Sequence, residues 1–260
     1  MLLHVVADFG TGDLAFAEVA QRFALHLPEA QVWPTAVPAF ATVTAGFLVA
    51  QLALGEGPDD RAVFLNVAPR RDDEGARRDN DGERLVHARL ASGVPVVGVL
   101  AGLAFSFLAE AGAELRWVEA PSAGSQFRSR DLFPAATARA LAGEGLGDPV
   151  PADRIPAVPG GRLAYVDGFG NLKTTVDAAE APPPGATVSV TIGGVRRDAV
   201  RAGGGFAVPH GGLAFAPGSS GWRLPDGRER RWMELFLRGG SAHEAFGRPS
   251  VEAEVTVEAG

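Results

Sequence analysis

The stretch LLHVVADFGTGDLAFAEVAQRFALHL, residues 2–27, decides how the chain begins to fold. Residues 2–7 are a continuous apolar run, DFGTGD (8–13) is a polar turn with two glycines, and apolar residues then recur at helical spacing from about Leu14 to Leu27, ahead of Pro28. A buried strand, a turn and an amphipathic helix are the opening of an α/β unit. The theme returns downstream. AQVW (30–33) reads as a strand, TAGFLVAQLAL (44–54) as a helix and AVFLNV (62–67) as a strand. LVHARLA (85–91), PVVGVL (95–100), a helix over GLAFSFLAEAG (102–112) and ELRWVEA (114–120) follow. Strands alternating with helices predict an α/β N-terminal domain, residues 1–145, with a mostly parallel sheet covered on both faces.

The texture changes near Leu146. GDPVPADRIPAVPGG (147–161) is rich in Pro and Gly without helical period, which predicts an interdomain linker over 146–161. Beyond it, RLAYVD, ATVSVTIGG, GGFAV, GLAFA, RWMELFLR and VEAEVTVEA are short alternating runs divided by turn residues. They predict a C-terminal all-β domain over 162–260, a small barrel or a sandwich, whose one helix is the short SAHEAFG (241–247). Within the first domain, RRDDEGARRDNDGER (70–84) carries 11 charges in 15 residues, so it reads as an exposed excursion, either a solvated loop or a lid near Asn66.

Composition narrows the function classes. Apolar residues make up 46% and charged ones 21%, a globular balance. The net charge of −7 supplies no global basic field, so neither nucleic acid nor an anionic membrane is an expected partner. With no cysteine there is no disulfide, thiolate catalysis or cysteine-ligated zinc, and the five histidines (4, 26, 87, 210, 243) lack metal-ligand spacing. No run of about 18 apolar residues is present to span a bilayer, and MLLHVVADFGTGD is unlike a signal peptide. The expectation is a soluble cytoplasmic protein without a metal.

Three local patterns carry chemistry. Asp8, at the end of the first strand, stands where open α/β sheets bind ligands. It either holds a vicinal diol, because a carboxylate accepts two hydroxyl hydrogens, or shapes the turn while Thr11 or Asp13 caps the next helix. YVDGFGNLKTTV (165–176) sets Asp167, Phe169 and Asn171 on alternate residues between glycines. That suits an ammonium, a flat ring and a nucleobase edge, or equally a hairpin with a glycine bulge. PGSSGW (217–222) offers two hydroxyls and backbone N–H groups to a carboxylate, or is a serine-rich turn. GxGxxG, GxSxG and the protein-kinase set are absent, which removes those readings.

Taken in order, ADFGTGD, PSAGSQFRSRDLF, YVDGFGNLKTT, PGSSGW and RGGSAHEAFG resemble the S-adenosyl-L-methionine (SAM) hydroxide adenosyltransferases and their fluorinase and chlorinase relatives, with gaps, over nearly the whole chain. The resemblance implies an α/β domain plus a β-barrel, and a homotrimer with the site at the subunit interface. It implies SAM as substrate or ligand with no further cofactor, cleaved at C5′ by water or a small anion to give adenosine, or a 5′-substituted adenosine, and methionine. By the same resemblance Asp8 grips the ribose hydroxyls, and Phe40 and Phe127 lie in the pocket. Asp167 pairs with the methionine ammonium, Phe169 packs there, and Asn171 and Arg238 meet adenine. Ser219 and Ser220 take the methionine carboxylate.

The departures fall on the chemistry. The hydrolases open a DPGVG segment with an Asp where this chain reads NVAPR, giving Asn66, and carry a His in TFHGRD where it reads QFRSRD, giving Arg128. Their arginine corresponds to Arg84 or Arg77. Asn is no base and Arg stays protonated at any working pH. Ser129 matches the fluorinase-type serine, whereas Pro69 replaces a threonine hydroxyl. Asn66, Arg128 and Ser129 therefore border the expected nucleophile site, and a catalytically degenerate SAM- or adenosine-binding protein is the alternative to an enzyme.

Overall fold

The computed structural model describes residues 1–70, 83–121 and 125–260. Arg77 and nearly all of the charged 70–84 excursion, with its reading as loop or lid, lie outside the described residues. The chain forms two compact units, Met1–Ala157 and Val158–Gly260.

The first unit runs β1 (Leu2–Ala7), α1 (Leu14–His26), β2 (Gln31–Ala36), α2 (Thr42–Leu54), β3 (Arg61–Asn66), β4 (Leu85–Arg89) and β5 (Pro95–Val99). It continues through α3 (Ser106–Glu110), β6 (Glu114–Val118), α4 (Arg128–Asp131), α5 (Phe133–Leu141) and β7 (Leu146–Pro149). The opening strand, turn and helix form as expected, and Asp13 is the cap: its carboxylate accepts from the Ala15 N–H at 2.8 Å. Leu3, Val5, Val19, Phe23, Phe64, Val97 and Phe133 share one core. The rings of Phe23 and Phe64 meet edge-on with centroids 5.0 Å apart. Burying each such side chain is worth roughly 1.5–3 kcal/mol. α2 is apolar all round because it packs on β1, β3, β5 and α3. The buried Arg61 gathers carbonyls at the end of α2 and just beyond it, its guanidinium donating to the Leu52 (3.2 Å), Gly55 (2.5 Å) and Pro58 (2.7 Å) oxygens.

The expected parallel sheet is corrected by the strand pairing. The order is β2-β1-β3-β5-β4-β6-β7. β1 pairs parallel with β2 and β3, and β3 with β5, but β4 runs antiparallel to β5 and β6, and β6 antiparallel to β7. The sheet is mixed, and its helices are few and mostly short. The cause lies in the Leu90–Val94 connection, which joins β4 to β5 directly; a parallel crossover needs about ten residues or more. β7 also takes residues 146–149, assigned above to a linker, into this sheet.

The second unit contains β8 (Leu163–Val166), β9 (Leu172–Asp177), β10 (Thr187–Ile192), β11 (Val195–Arg201), β12 (Leu213–Arg223), β13 (Glu229–Leu237), α6 (Ala242–Ala245) and β14 (Val255–Ala259). The expected barrel is corrected as well. These strands form one seven-stranded sheet, β14-β10-β11-β12-β13-β9-β8, antiparallel except for β11 with β12. β14 and β8 stand at its two ends; near their starts Arg162 and Glu254 make an isolated bridge, flanked by backbone hydrogen bonds from Leu163 to Ala253, from Glu252 to Leu163 and from Val255 to Gly161. Leu172, Val188, Val190, Ile192, Phe215, Met233, Leu235 and Phe246 build its core. Alternation along short strands specifies a half-buried sheet but not whether its edges close.

Candidate functional site

In the first unit the carboxyl ends of the parallel strands β1, β3 and β5 converge, which is where open sheets leave a crevice. A cavity of about 340 Å³ lies there. Asp8, Phe40, Asn66, Phe127, Arg128 and Ser129 all line it, so six residues named from sequence share one wall system although they span 122 positions. Phe9, Ala39, Pro69, Glu83, Val99 and Gln126 also border it and were not foreseen, except that Pro69 was noted as a departure.

Asp8 is the organising group. Its Oδ2 accepts from the Phe40 N–H and the Ala68 N–H, each at 3.1 Å, tying the β2–α2 connection and the segment after β3 to the end of β1. Its own N–H donates to the Asn66 carbonyl at 3.1 Å, extending the β1–β3 ladder by one residue. None of the described residues donates to Oδ1, which leaves one carboxylate oxygen for a ligand hydroxyl. Phe40 adopts φ of 63°, a left-handed conformation that costs a non-glycine residue energy. The Asp8–Phe40 bond holds it there.

At the polar end, Asn66 is 5% exposed, and none of the described residues bonds its side-chain amide. Arg128 is buried, with guanidinium N–H groups donated to the carbonyls of Glu83 (2.8 Å) and Pro121 (2.9 Å) and its head 5.0 Å from the Phe133 ring centre. It thus braces the chain on either side of β4 and β6. Phe127 packs edge-on against Phe9 at 5.9 Å, and Phe9 against Phe16 at 5.2 Å, which makes an aromatic wall. Behind it, Arg130 bridges Glu18 (3.0 Å) and Asp131 (2.7 Å) and anchors α4 to α1. The Arg130 hydrogen bonds, and then Ser125, hold the Asp131 carboxyl well below the usual carboxylate range.

The sequence-named residues of the second unit fall on three local structures. The first is the β8–β9 turn. Asp167 accepts from the N–H groups of Phe169 (2.9 Å) and Asn171 (3.0 Å) and from Asn171 Nδ2 (2.9 Å). Its carboxylate is therefore the staple of the turn, and Phe169 is presented 83% exposed at the tip. Gly170 (φ 77°) lies so close to Ser241 that a Cβ there would strike its hydroxyl, and its carbonyl accepts from the His243 N–H at 2.9 Å. The second is a bulge in β12. Pro217 pairs with Met233 and Gly221 with Arg231, so Gly218, Ser219 and Ser220 face the single residue Trp232. Ser220 is buried and Ser219 exposed. The third is Arg238, just past β13, which donates to the Val208 carbonyl at 2.6 Å.

Sequence reading missed an ion pair beside that bulge. Lys173 Nζ lies 2.6 Å from Glu234 Oε1, with the two side chains 12% and 2% exposed. The signal for it was compositional: Lys173 is the only lysine in a chain with 23 arginines.

No family model matches the chain, and no curated protein matches it. The solved structures that share its fold include the following two. One, from Thermotoga maritima and described as an uncharacterized conserved protein, is 19% identical with a TM-score of 0.75, over 98% of this chain and 100% of that one. The other, from Thermus thermophilus and described as a conserved hypothetical protein, is 25% identical with a TM-score of 0.66, over 98% and 99%. The likeness of the chain to these proteins runs through both units and is a likeness of fold.

Proposed function

We propose that the protein binds SAM or a closely related adenine nucleoside, with the cavity at the ends of β1, β3 and β5 as the ribose and sulfonium end of the site. The observation that carries this reading is Asp8. One carboxylate oxygen is fixed by two backbone N–H groups, and the other borders a cavity walled by Phe9, Phe40 and Phe127. A preoriented carboxylate beside aromatic rings suits a ribose diol attached to a base. The Asp167–Asn171 turn, the Ser219–Ser220 bulge and Arg238 supply the remaining adenine and methionine contacts, from a second unit of a homotrimer that completes the site at the subunit interface.

Cleavage of SAM at C5′ is the second reading, and Asn66 and Ser129 favour it. An amide and a hydroxyl on the wall of the cavity can hold and partly dehydrate water or a small anion. Asn66 takes no proton, and the Arg128 guanidinium is engaged with two carbonyls, so catalysis rests on alignment rather than on a base. Calorimetric titration with SAM and adenosine tests binding, and mass spectrometry of the products in chloride buffer tests turnover. We expect saturable binding of both ligands. Adenosine plus methionine, or a 5′-chlorinated nucleoside, identifies the nucleophile, and unconverted SAM leaves a binding protein. Absence of binding refutes the proposal.

A further inference from the structure

Glu234 pairs in the sheet with Ala216 on one side and Lys173 on the other, so the three residues form a row across β12, β13 and β9. Met233 and Leu235, on either side of Glu234, point into the core with Leu172 and Phe215, so Glu234 and Lys173 occupy the opposite face. The β12 bulge starts beside this row. A Cβ on Gly218 would collide with the Glu234 carboxylate, so the bulge backbone rests directly on the acidic member of the ion pair.

An ammonium has three N–H donors, and Glu234 takes one. None of the described residues takes the other two, although the side chain is only 12% exposed. Everywhere else this chain places a cation it uses arginine; here it keeps a compact point charge with freely rotating donors. Ser219 and Ser220, together with backbone N–H groups outside the regular ladder, follow Gly218 on the bulge, on the Glu234 side of the pair.

We propose that Lys173 is a specificity-determining residue, whose ammonium holds an oxyanion, the carboxylate of an amino-acid tail, against the Ser219–Ser220 bulge. This rests on the nucleoside reading above and narrows its ligands to those carrying an anionic tail. The opposing charge of Glu234 makes the pair neutral before the ligand arrives, so the lysine is a hydrogen-bonding reader and not a long-range attractor.

The test is a titration of the full chain with SAM, decarboxylated SAM and adenosine. The proteins are wild type, Lys173→Met and the double variant Lys173→Met/Glu234→Met. The double variant covers the event that Lys173→Met alone leaves Glu234 unpaired and fails to fold, because replacing both members of a buried pair by apolar groups is usually tolerated. Adenosine binding reports that the nucleoside end is intact. We expect wild type to bind SAM about tenfold or more tightly than decarboxylated SAM, as a charge-assisted hydrogen bond requires. The ratio should fall below about threefold in the variants. A wild-type ratio near one, or a ratio that survives the double variant, overturns this inference and leaves the nucleoside reading in place. Failure of wild type to bind any of the three overturns both.

Discussion

Asp8→Asn separates the two tasks of the Asp8 carboxylate. The amide oxygen can replace Oδ2 and accept from Phe40 and Ala68, bonds of 3.1 Å each in the native protein. The loops lining the cavity then stay pinned, and the amide NH2 replaces Oδ1 at the cavity border. An NH2 group accepts nothing, so a ribose diol loses its acceptor and meets a donor instead. Hydrogen bonds to a charged group are worth about 1.5–3 kcal/mol, so nucleoside affinity should fall roughly 10- to 140-fold. Comparison of adenosine with 2′-deoxyadenosine by calorimetry isolates this contact: wild type should prefer adenosine, and the preference should vanish in Asp8→Asn. Thermal unfolding of the variant should stay close to that of wild type. Persistence of the 2′-hydroxyl preference in the variant would refute the assignment of the diol to Asp8. A collapse of stability would show instead that the charge, and not the acceptor geometry, holds the loops.

Two other perturbations probe the frame around the site. Phe40 sits at φ of 63°, so Phe40→Gly should be more stable than Phe40→Ala by about 1 kcal/mol in urea unfolding, because only glycine adopts that conformation without strain; equal stabilities would show that the backbone there relaxes. His4 and His87 both lie below the ordinary histidine value, each through burial first, with Arg61 and Arg89 adding to it respectively. For a base depressed in the folded state the unfolded chain binds more protons, so stability is full above about pH 6.5 and falls as the pH drops through that value. His87→Gln should flatten the pH dependence of urea midpoints between about pH 7 and 5, and an unchanged slope would remove His87 from the account.

The local elements were legible because their causes are local. Apolar spacing and a capping Asp13 mark α1, and continuous apolar runs mark β1 and β3, whatever the rest of the chain does. α4 and α5 were missed because RSRD is too short for a period and Pro134 opens α5 where a proline usually signals an end. Strand direction was also misjudged. A buried strand has the same apolar composition whether its neighbour runs parallel or antiparallel, so only the short Leu90–Val94 connection could have shown that β4 reverses.

The candidate residues divide along the same line. The resemblance read from the sequence grouped twelve residues in one site, and the fold lines one cavity with six of them, Asp8, Phe40, Asn66, Phe127, Arg128 and Ser129, while the other six lie in the second unit. What each does there depended on partners that only tertiary structure supplies. Arg128 is a brace because the Glu83 and Pro121 carbonyls come to it, and Asp167 is a turn staple because its own neighbours' N–H groups surround it. Lys173 became visible only when β13 brought Glu234 beside β9. Residue type is written in the chain, but which hydrogen bonds a side chain has left for a ligand is set by what the fold has already paired with it.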